Sequence, residues 1–265
     1  MTMLGGSLRR LWQKADSATG KRRPARVKVV DPRRLSRREK DRLIERLFPI
    51  YWSLFHHGDR DFFSSRLLFP ECEFSRVALL YGDDGREVGF AAGWLCPMDT
   101  AQGPISVLRG AVFADLAYRS GDYALLVLGR TALHHFLRHP RRPCWAYGIG
   151  AHAASYCLVT RTGLRIYPNR HHTPVAATDL AAELAPHFGF ETLGDTPWVA
   201  RFATEAVDPR RTRRSQRLVD DPDAQFFWSQ VDPHGPDAVM LLLAPLTLRE
   251  IATGALRALG RLTMG

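Results

Sequence analysis

Cysteine is scarce in this sequence, and no apolar run is long enough to cross a bilayer. The four cysteines are spread along the chain and form no Cys-x-x-Cys pair, which argues against a disulfide framework and against a cysteine zinc site. The longest apolar run, Val239–Leu246, contains a proline and falls well below the ~18 residues of a transmembrane helix. No secretory hydrophobic segment stands at the N-terminus. We expect buried, reduced thiols, no transmembrane segment and a cytoplasmic protein.

Several catalytic motifs are missing as well. The sequence has no P-loop, no dinucleotide-binding glycine fingerprint and no Gly-x-Ser-x-Gly elbow, so it gives no support for a P-loop NTPase, a Rossmann dehydrogenase or an α/β-hydrolase. His135 and His139 are four residues apart but lack the glutamate of a His-Glu-x-x-His zinc helix. We expect no metal in the function of this protein.

Positive charge is concentrated at one end of the chain. The formal net charge is +10, residues 1–46 hold 15 Lys/Arg and 5 Asp/Glu, and the remainder holds 22 of each. Residues 1–26 are therefore predicted to be a basic, disordered arm. Such an arm suits an anionic membrane surface, a nucleic acid or an acidic protein, or serves only as a solubilising tail. The neutral remainder and the lack of a nucleic-acid-binding motif argue against nucleic acid, and the arm favours a peripheral contact with anionic lipid.

The first helix of the body is predicted to begin after Ser36. Ser36 and Glu39 have the spacing of a capping box, an apolar stripe follows, and Pro49 should kink or divide the helix. Seven aromatic residues lie within residues 48–69. They suit core packing or, for some of them, the lining of an apolar substrate pocket.

The middle of the chain has a strand–helix–strand pattern. Two β-rich runs flank the Gly-Asp-Asp-Gly turn at residues 82–85, which predicts a hairpin. A strand over Ile105–Tyr118 is followed by apolar residues at helical spacing over Asp122–Arg138 and by a short apolar strand over Cys144–Gly150. Since strand–helix–strand connections within one sheet are almost always right-handed crossovers, the two strands are predicted to be parallel neighbours.

Three further elements complete the predicted body. One helix is predicted to end at Gly163, another to begin at Thr178 or Asp179, and a strand to cover residues 198–203. Residues 27–205 are thus expected to form one domain. Residues 206–265 are predicted to be a basic linker followed by an apolar strand and a helix that pack on the body.

This order of elements resembles the GCN5-related N-acetyltransferase (GNAT) superfamily over roughly residues 27–203. The most specific piece is FADLAYRSGDYALLVLGRTAL, residues 113–133, where a strand leads into a turn and a helix. The resemblance implies an α/β fold with a GNAT-like mixed central sheet flanked by helices. It also implies an acyl-coenzyme A donor, whose pyrophosphate is held by the unpaired backbone amides of the turn and the helix start.

The donor-binding residues that the resemblance implies are Leu116, Tyr118, Arg119, Ser120, Gly121, Asp122, Tyr123 and Ala124. In the superfamily's Arg/Gln-x-x-Gly-x-Gly/Ala turn, Arg119 matches the first position and Ala124 the last, but Asp122 replaces a glycine. An aspartate at this place caps the helix and repels a phosphate. Helix capping alone, and donor binding in which Arg119 offsets the charge, therefore both stay open.

The superfamily resemblance also implies a tyrosine that protonates the leaving thiolate, and its usual place is occupied by Val159. Tyr156, one helical turn earlier, and His152, on the same helix face, are the substitutes predicted for acid–base work. For Tyr156 the other interpretation is a half-buried aromatic with its hydroxyl in water. Asp115, late in the strand, is the candidate general base for an acceptor amine, or else a solvent-facing carboxylate.

The function implied by the resemblance is transfer of an acyl group from a thioester, on coenzyme A or on an acyl-carrier protein, to an amine. The aromatic residues of the first helix favour an apolar acceptor or a long acyl chain. The alternative is a catalytically inactive binding module of the same fold for a lipid or protein partner. The substituted turn and the displaced tyrosine favour that alternative.

Overall fold

The computed structural model of the chain describes residues 24–54, 58–115, 118, 122–202 and 217–249, with the backbone alone at 122–126. Eight strands and six helices lie within these ranges. The strands are β1 Arg26–Val30, β2 Phe74–Tyr81, β3 Glu87–Thr100, β4 Gly103–Ala114, β5 Cys144–Gly150, β6 Glu191–Thr192, β7 Val199–Arg201 and β8 Ala238–Leu246. The helices are α1 Arg37–Trp52, α2 Arg60–Phe62 with a π-helical continuation Phe63–Leu68, α3 Asp122–Arg138, α4 Ala153–Thr160, α5 Val175–His187 and α6 Pro222–Val231.

All eight described strands form one mixed sheet in the order β1-β2-β3-β4-β5-β8-β7-β6. Among these strands, only the pair β4 and β5 is parallel, and every other pair is antiparallel. The predicted α/β class, with a mixed central sheet flanked by helices, is confirmed. The predicted parallel pair is also confirmed, with α3 as the helix that connects its strands. The first strand ends at Ala114, earlier than predicted, because the chain turns where Tyr118 N–H donates to Asp115 O at 2.8 Å.

Helices cover both faces of the sheet. On the first face, α1 and the π-helical segment pack on β2–β4, and α5 packs on β4, β5 and β8. On the second face, α3 packs on β2–β4, while α4 and α6 pack together against β8. The side chains of β4 alternate between these faces, since Val107 and Phe113 point to the first and Leu108 points to the second.

Helix α1 has the predicted start but does not stop at its proline. Ser36 N–H donates to Glu39 Oε2 at 2.8 Å, and Glu39 N–H donates back to Ser36 Oγ at 3.4 Å, so the capping box is confirmed. Of the two predicted effects of Pro49, a kink or a division of the helix, division does not occur. The helix continues to Trp52, and Pro49 O accepts from Ser53 N–H at 3.0 Å.

The aromatic residues that follow are mainly core. Tyr51 and Phe63 are 2% and 0% exposed, and their ring centroids lie 5.0 Å apart. They also contact Phe90 and Phe113 of the sheet at 5.8 and 5.1 Å. These contacts anchor α1 and the π-helical segment to the first face of the sheet.

Two predicted helix ends are corrected by the structure. Helix α5 begins at Val175, ahead of the predicted caps Thr178 and Asp179, because Pro174 precedes the helix in an extended conformation and its carbonyl accepts from Thr178 N–H at 3.1 Å. Helix α4 ends at Thr160, and Gly163 follows three residues later with φ +84°.

The C-terminal strand lies inside the sheet. β8 pairs with β5 over residues 240–246 and with β7 over residues 238–240, so it belongs to the central sheet and is not an addition on its surface. The predicted helix after it lies outside the described residues, as do most of the basic linker at 208–217 and the arm at 1–23.

Close contact between α3 and the sheet depends on a glycine of β4. A Cβ atom on Gly110 would lie 2.5 Å from Leu128 Cδ2 of α3 and 2.8 Å from the backbone oxygen of Ala92. No side chain larger than hydrogen fits at this position unless the helix or the neighbouring strand moves.

We expect Gly110→Ala to lower the free energy of unfolding by about 1–3 kcal/mol, because the added methyl group overpacks the interface between helix and sheet. Gly129→Ala is the matched control. Gly129 lies on the exposed side of α3 with no described atom near its Cβ position, so this change should stabilise the protein by about 0.5–1 kcal/mol. Urea unfolding of both variants measures the difference, and equal stabilities would contradict the packing described for α3.

Candidate functional site

The most unusual feature of the sheet is a gap between two neighbouring strands. β4 and β5 are in register at three positions, Ser106 with Cys144, Val107 with Trp145, and Leu108 with Ala146. Beyond that point β4 continues to Ala114 and β5 to Gly150 without further pairing between them. Each strand stays in the sheet because its other edge is paired, β4 with β3 and β5 with β8. The two strands therefore diverge and leave an opening in the sheet.

Backbone groups of β4 face this gap. Ser106 N–H donates to Pro143 O, just before β5, at 2.8 Å. Since the backbone groups of successive residues point to alternate sides of a strand, the N–H and C=O groups of Gly110 and Val112 point toward β5 as well. β5 provides no partner for them there. Gly110 is exposed although β4 is an interior strand, so the gap is open to solvent at this height.

Space also lies beside β5. A Cβ atom built on Gly148 would meet no atom of the described residues within 4 Å. Gly148 and Gly110 both lie past the last paired position. At Gly148 an extended ligand has room on the second face, whereas at Gly110 Leu128 of α3 occupies that space.

Two of the predicted catalytic residues come to the open end of the gap. Asp115 directly follows β4, is exposed, and donates its N–H to Val88 O at 2.8 Å. His152 follows β5 and precedes α4, where its N–H donates to Ser155 Oγ at 3.1 Å. Because β4 and β5 are parallel, their carboxyl ends lie at the same edge of the sheet, which is the usual place for ligands in α/β folds. Asp115 and His152 thus lie at one edge of the sheet, each just after the end of a strand.

The predicted donor turn is only partly described. Leu116, Arg119, Ser120 and Gly121 lie outside the described residues. Tyr118 is half-buried, and a Cβ atom on Gly82 of the β2–β3 turn would meet its hydroxyl at 3.2 Å. Its phenol therefore lies on the β3 side of β4 and not over the gap.

The start of α3 follows this turn at the edge of the sheet. Asp122 begins the helix, and Tyr123 and Ala124 belong to its first turn. The first backbone N–H groups of a helix have no partner within the helix, and the helix dipole favours an anion near them. The predicted pyrophosphate site thus lies at a helix start beside the open end of the gap.

Tyr156 lies elsewhere. Its side chain is 0% exposed and packs in the cluster of α4, α6 and β8 on the second face, with Phe226 and Phe227 at ring distances of 6.0 Å. Its hydroxyl donates to Pro168 O at 3.0 Å. Burial raises the pKa of Tyr156 well above its ordinary value. The acid–base role of Tyr156 stays a prediction that this placement does not favour, and the interpretation with a hydroxyl in water is wrong.

Two histidines near the end of α3 make contacts with other residues of the fold. His135 is buried, and its Nε2 lies 2.9 Å from Arg142 O, while His139 contacts Glu73. Within the described ranges, no group of three or more His, Cys, Asp or Glu side chains is arranged to hold a metal ion. No helix in those ranges is long and apolar enough to cross a membrane.

The sequence analysis missed the side chains that line the point where the strands separate. These side chains are Trp94 of β3, Arg109 of β4 and Tyr147 of β5, next to the last paired position of β4 and β5. A signal was available, since Arg109 is the single charged residue in the strand GPISVLRGAVFA. A charge within an apolar interior strand calls for a specific partner.

Comparison with solved structures finds distant matches to acyltransferases. One is an acyl-CoA N-acyltransferase from Pseudomonas aeruginosa, with 11% identity, coverage of 54% of this chain and 90% of that chain, and a TM-score of 0.33. Another is a GCN5-related N-acetyltransferase from Kribbella flavida, with 13% identity, coverage of 83% and 98%, and a TM-score of 0.35. A third is the ribosomal-protein-S18-alanine N-acetyltransferase from Escherichia coli, with 10% identity, coverage of 84% and 96%, and a TM-score of 0.37.

No family model and no curated protein sequence matches the chain. At the identities and TM-scores of the solved structures, neither substrates nor residue roles transfer to this protein. The functional assignment therefore depends on the geometry of the gap and on the residues around it.

We expect Tyr156→Phe to lower the free energy of unfolding by about 1 kcal/mol, because it removes one buried hydrogen bond and leaves Pro168 O without that donor. If Tyr156 is only structural, binding of coenzyme A and any acyl transfer should stay within twofold of the parent. Thermal unfolding and calorimetric titration measure the two effects. A large loss of acyl transfer without loss of coenzyme A binding would restore Tyr156 as a catalytic residue.

Proposed function

We propose that this protein is an acyltransferase that moves an acyl group from a thioester, carried on coenzyme A or on an acyl-carrier protein, to the amine of an acceptor. The observation that carries the proposal is the gap between β4 and β5 with the unpaired backbone groups of Gly110 and Val112. The amide-bearing arm of such a donor can add to β4 as an extra strand. This pairing would satisfy backbone groups that β5 leaves without a partner.

The phosphate end of the donor would lie at the turn after β4. That turn leads into α3 at Asp122, where the backbone N–H groups of the first helical turn are free of partners within the helix. In the proposed site, Arg119 offsets the charge of Asp122, and the amides around Tyr123 and Ala124 contact the pyrophosphate. Asp122 would limit this interaction, because a negative charge in the first turn of α3 repels a phosphate there.

The chemistry would take place within the gap. Holding the thioester carbon next to the amine supplies most of the rate, and a backbone N–H directed at the thioester oxygen stabilises the developing oxyanion. The amine attacks the carbonyl carbon, the tetrahedral intermediate forms and then expels the thiolate. Asp115 or His152, at the open end of the gap, would take the proton from the amine through water molecules in the gap.

The test of this function uses the residue that limits donor binding. Asp122→Gly removes one negative charge from the first turn of α3, so we expect tighter binding of coenzyme A in a protein less stable by about 1 kcal/mol. Arg119→Ala should weaken binding with little loss of stability. Calorimetric titration with coenzyme A measures both, and Arg130→Ala, an exposed change of the same charge on α3, is the control.

Absence of binding in both the parent and Asp122→Gly at millimolar coenzyme A would exclude coenzyme A as the donor. Titration with a purified acyl-carrier protein is the next arm of this test. If neither donor binds, the protein is a binding module and not an acyltransferase.

A further inference from the structure

Three polar side chains form a row across the sheet where the gap opens. Trp94 and Arg109 are direct partners in the antiparallel pair β3 and β4. Arg109 and Tyr147 are the first residues after Leu108 and Ala146, the last paired position of β4 and β5. All three belong to the first face of the sheet, since Trp94 lies in the α1 cluster, Tyr147 in the α5 cluster, and Arg109 alternates with Leu108 along β4.

Each member of this row has a buried hydrogen-bonding atom without a partner. Trp94 Nε1, Arg109 Nε and Tyr147 Oη are shielded from solvent, and no acceptor among the described residues contacts them. The indole and the guanidinium can only donate. Burial raises the pKa of Tyr147 well above its ordinary value, so its phenol is protonated at neutral pH and also has a proton to donate. Buried donors are rarely left unpaired, and three in adjacent strands call for acceptors, which water or a bound ligand can supply.

The row also carries an uncompensated positive charge. No ion pair joins Arg109 to any described carboxylate, and its guanidinium carbon lies 4.3 Å from the ring centre of Phe188 and 5.6 Å from that of Phe190. The same two rings pack against Tyr147 at 5.5 and 6.0 Å. Burial is the main cause that lowers the pKa of Arg109, and Arg66 nearby acts in the same direction. The guanidinium of arginine nevertheless stays protonated at neutral pH, so an anion beside Arg109 would offset its charge.

We propose that Trp94, Arg109 and Tyr147 bind the carboxylate of the acceptor, and that the acceptor is a small apolar amine which also bears a carboxylate. The role as acceptor site rests on the acyltransferase function proposed above. One half-buried cation, Arg109, matches one carboxylate charge. Phe188 and Phe190 provide an apolar wall for the remainder of the molecule. The phosphates of a bound donor would lie beyond Ala114, about 17 Å from Arg109 along β4, so the two anionic groups occupy different ends of the gap.

The ligand arm of the test compares three probes by calorimetric titration. L-phenylalanine has both groups, 3-phenylpropanoate has only the carboxylate, and L-phenylalaninamide has only the amine. We expect the two carboxylates to bind and the amide to bind at least 10-fold more weakly. Arg109→Met should weaken both carboxylates by 10- to 100-fold, because it removes a charge-assisted hydrogen bond. Tyr147→Phe and Trp94→Phe should each weaken them about 3- to 10-fold, and Arg130→Met is the control for net charge.

A second readout separates a binding role from a structural role. Without ligand, Arg109→Met should raise the melting temperature, because it replaces a half-buried charge, which has no anionic partner among the described residues, by an apolar side chain of similar length. Saturating 3-phenylpropanoate should raise the melting temperature of the parent and not that of Arg109→Met. A lower melting temperature for Arg109→Met, combined with unchanged carboxylate affinity, would overturn the proposal, as would failure of both carboxylates to bind at 10 mM.

The outcomes also distinguish this proposal from the acyltransferase function. Suppose that carboxylates bind through Arg109 but that neither coenzyme A nor an acyl-carrier protein binds. This result supports the anion site and rejects its role as the acceptor site. Coenzyme A binding that falls at least 10-fold in Arg109→Met would assign the row to the donor, which overturns the acceptor assignment. Coenzyme A binding without any carboxylate binding leaves the donor site in place and rejects this one.

Discussion

The hydrogen-bond ladder between β4 and β5 ends after Leu108 and Ala146, and the arrangement of the site depends on this ending. Each strand is held in place by its other neighbour, β4 by β3 as far as Ala114 and β5 by β8 as far as Gly150. The sheet therefore opens at its centre without losing either strand. An opening of this kind exposes backbone donors and acceptors inside the protein, which is unfavourable unless water or a ligand pairs with them.

Packing on the two faces of the sheet fixes the two sides of this opening. On the second face, α3 lies so close to β4 that Gly110 has no room for a side chain. On the first face, Phe188 and Phe190 follow α5 and cover Arg109 and Tyr147. A donor entering from the end of α3 and an acceptor bound by the Arg109 row would approach the same gap from different directions. This separation is what a direct transfer between two bound molecules requires.

The sequence analysis predicted the elements that build the gap because their signals are local. Apolar residues at helical spacing predicted the helix Asp122–Arg138, and the apolar run Cys144–Gly150 predicted the next strand. Because strand–helix–strand connections are almost always right-handed crossovers, the two strands were predicted to be parallel. The placement of β8 between β5 and β7 was not predictable in the same way. Pairing between distant strands depends on tertiary packing, and residues 203–216, outside the described residues, separate β7 from the segment that contains β8.

The site was predicted less well than the fold, also for physical reasons. Asp115 and His152 lie at one edge of the sheet because each follows the end of one of two parallel strands. Tyr156 lies away from that edge. Its position one helical turn before Val159 does not reveal which face of the sheet α4 covers, and in the structure α6 buries it. The row of Trp94, Arg109 and Tyr147 depends on registers across three strands. Only the isolated charge of Arg109 was visible in the sequence.

The central claim is that a donor occupies the gap and pairs with β4. Amide hydrogen exchange of Gly110 and Val112, followed by NMR with and without saturating coenzyme A, tests it most directly. The account predicts that coenzyme A slows exchange at one or both of these amides while Leu108, already paired with β5, changes little. Binding of coenzyme A that leaves Gly110 and Val112 unchanged and protects amides elsewhere would contradict it.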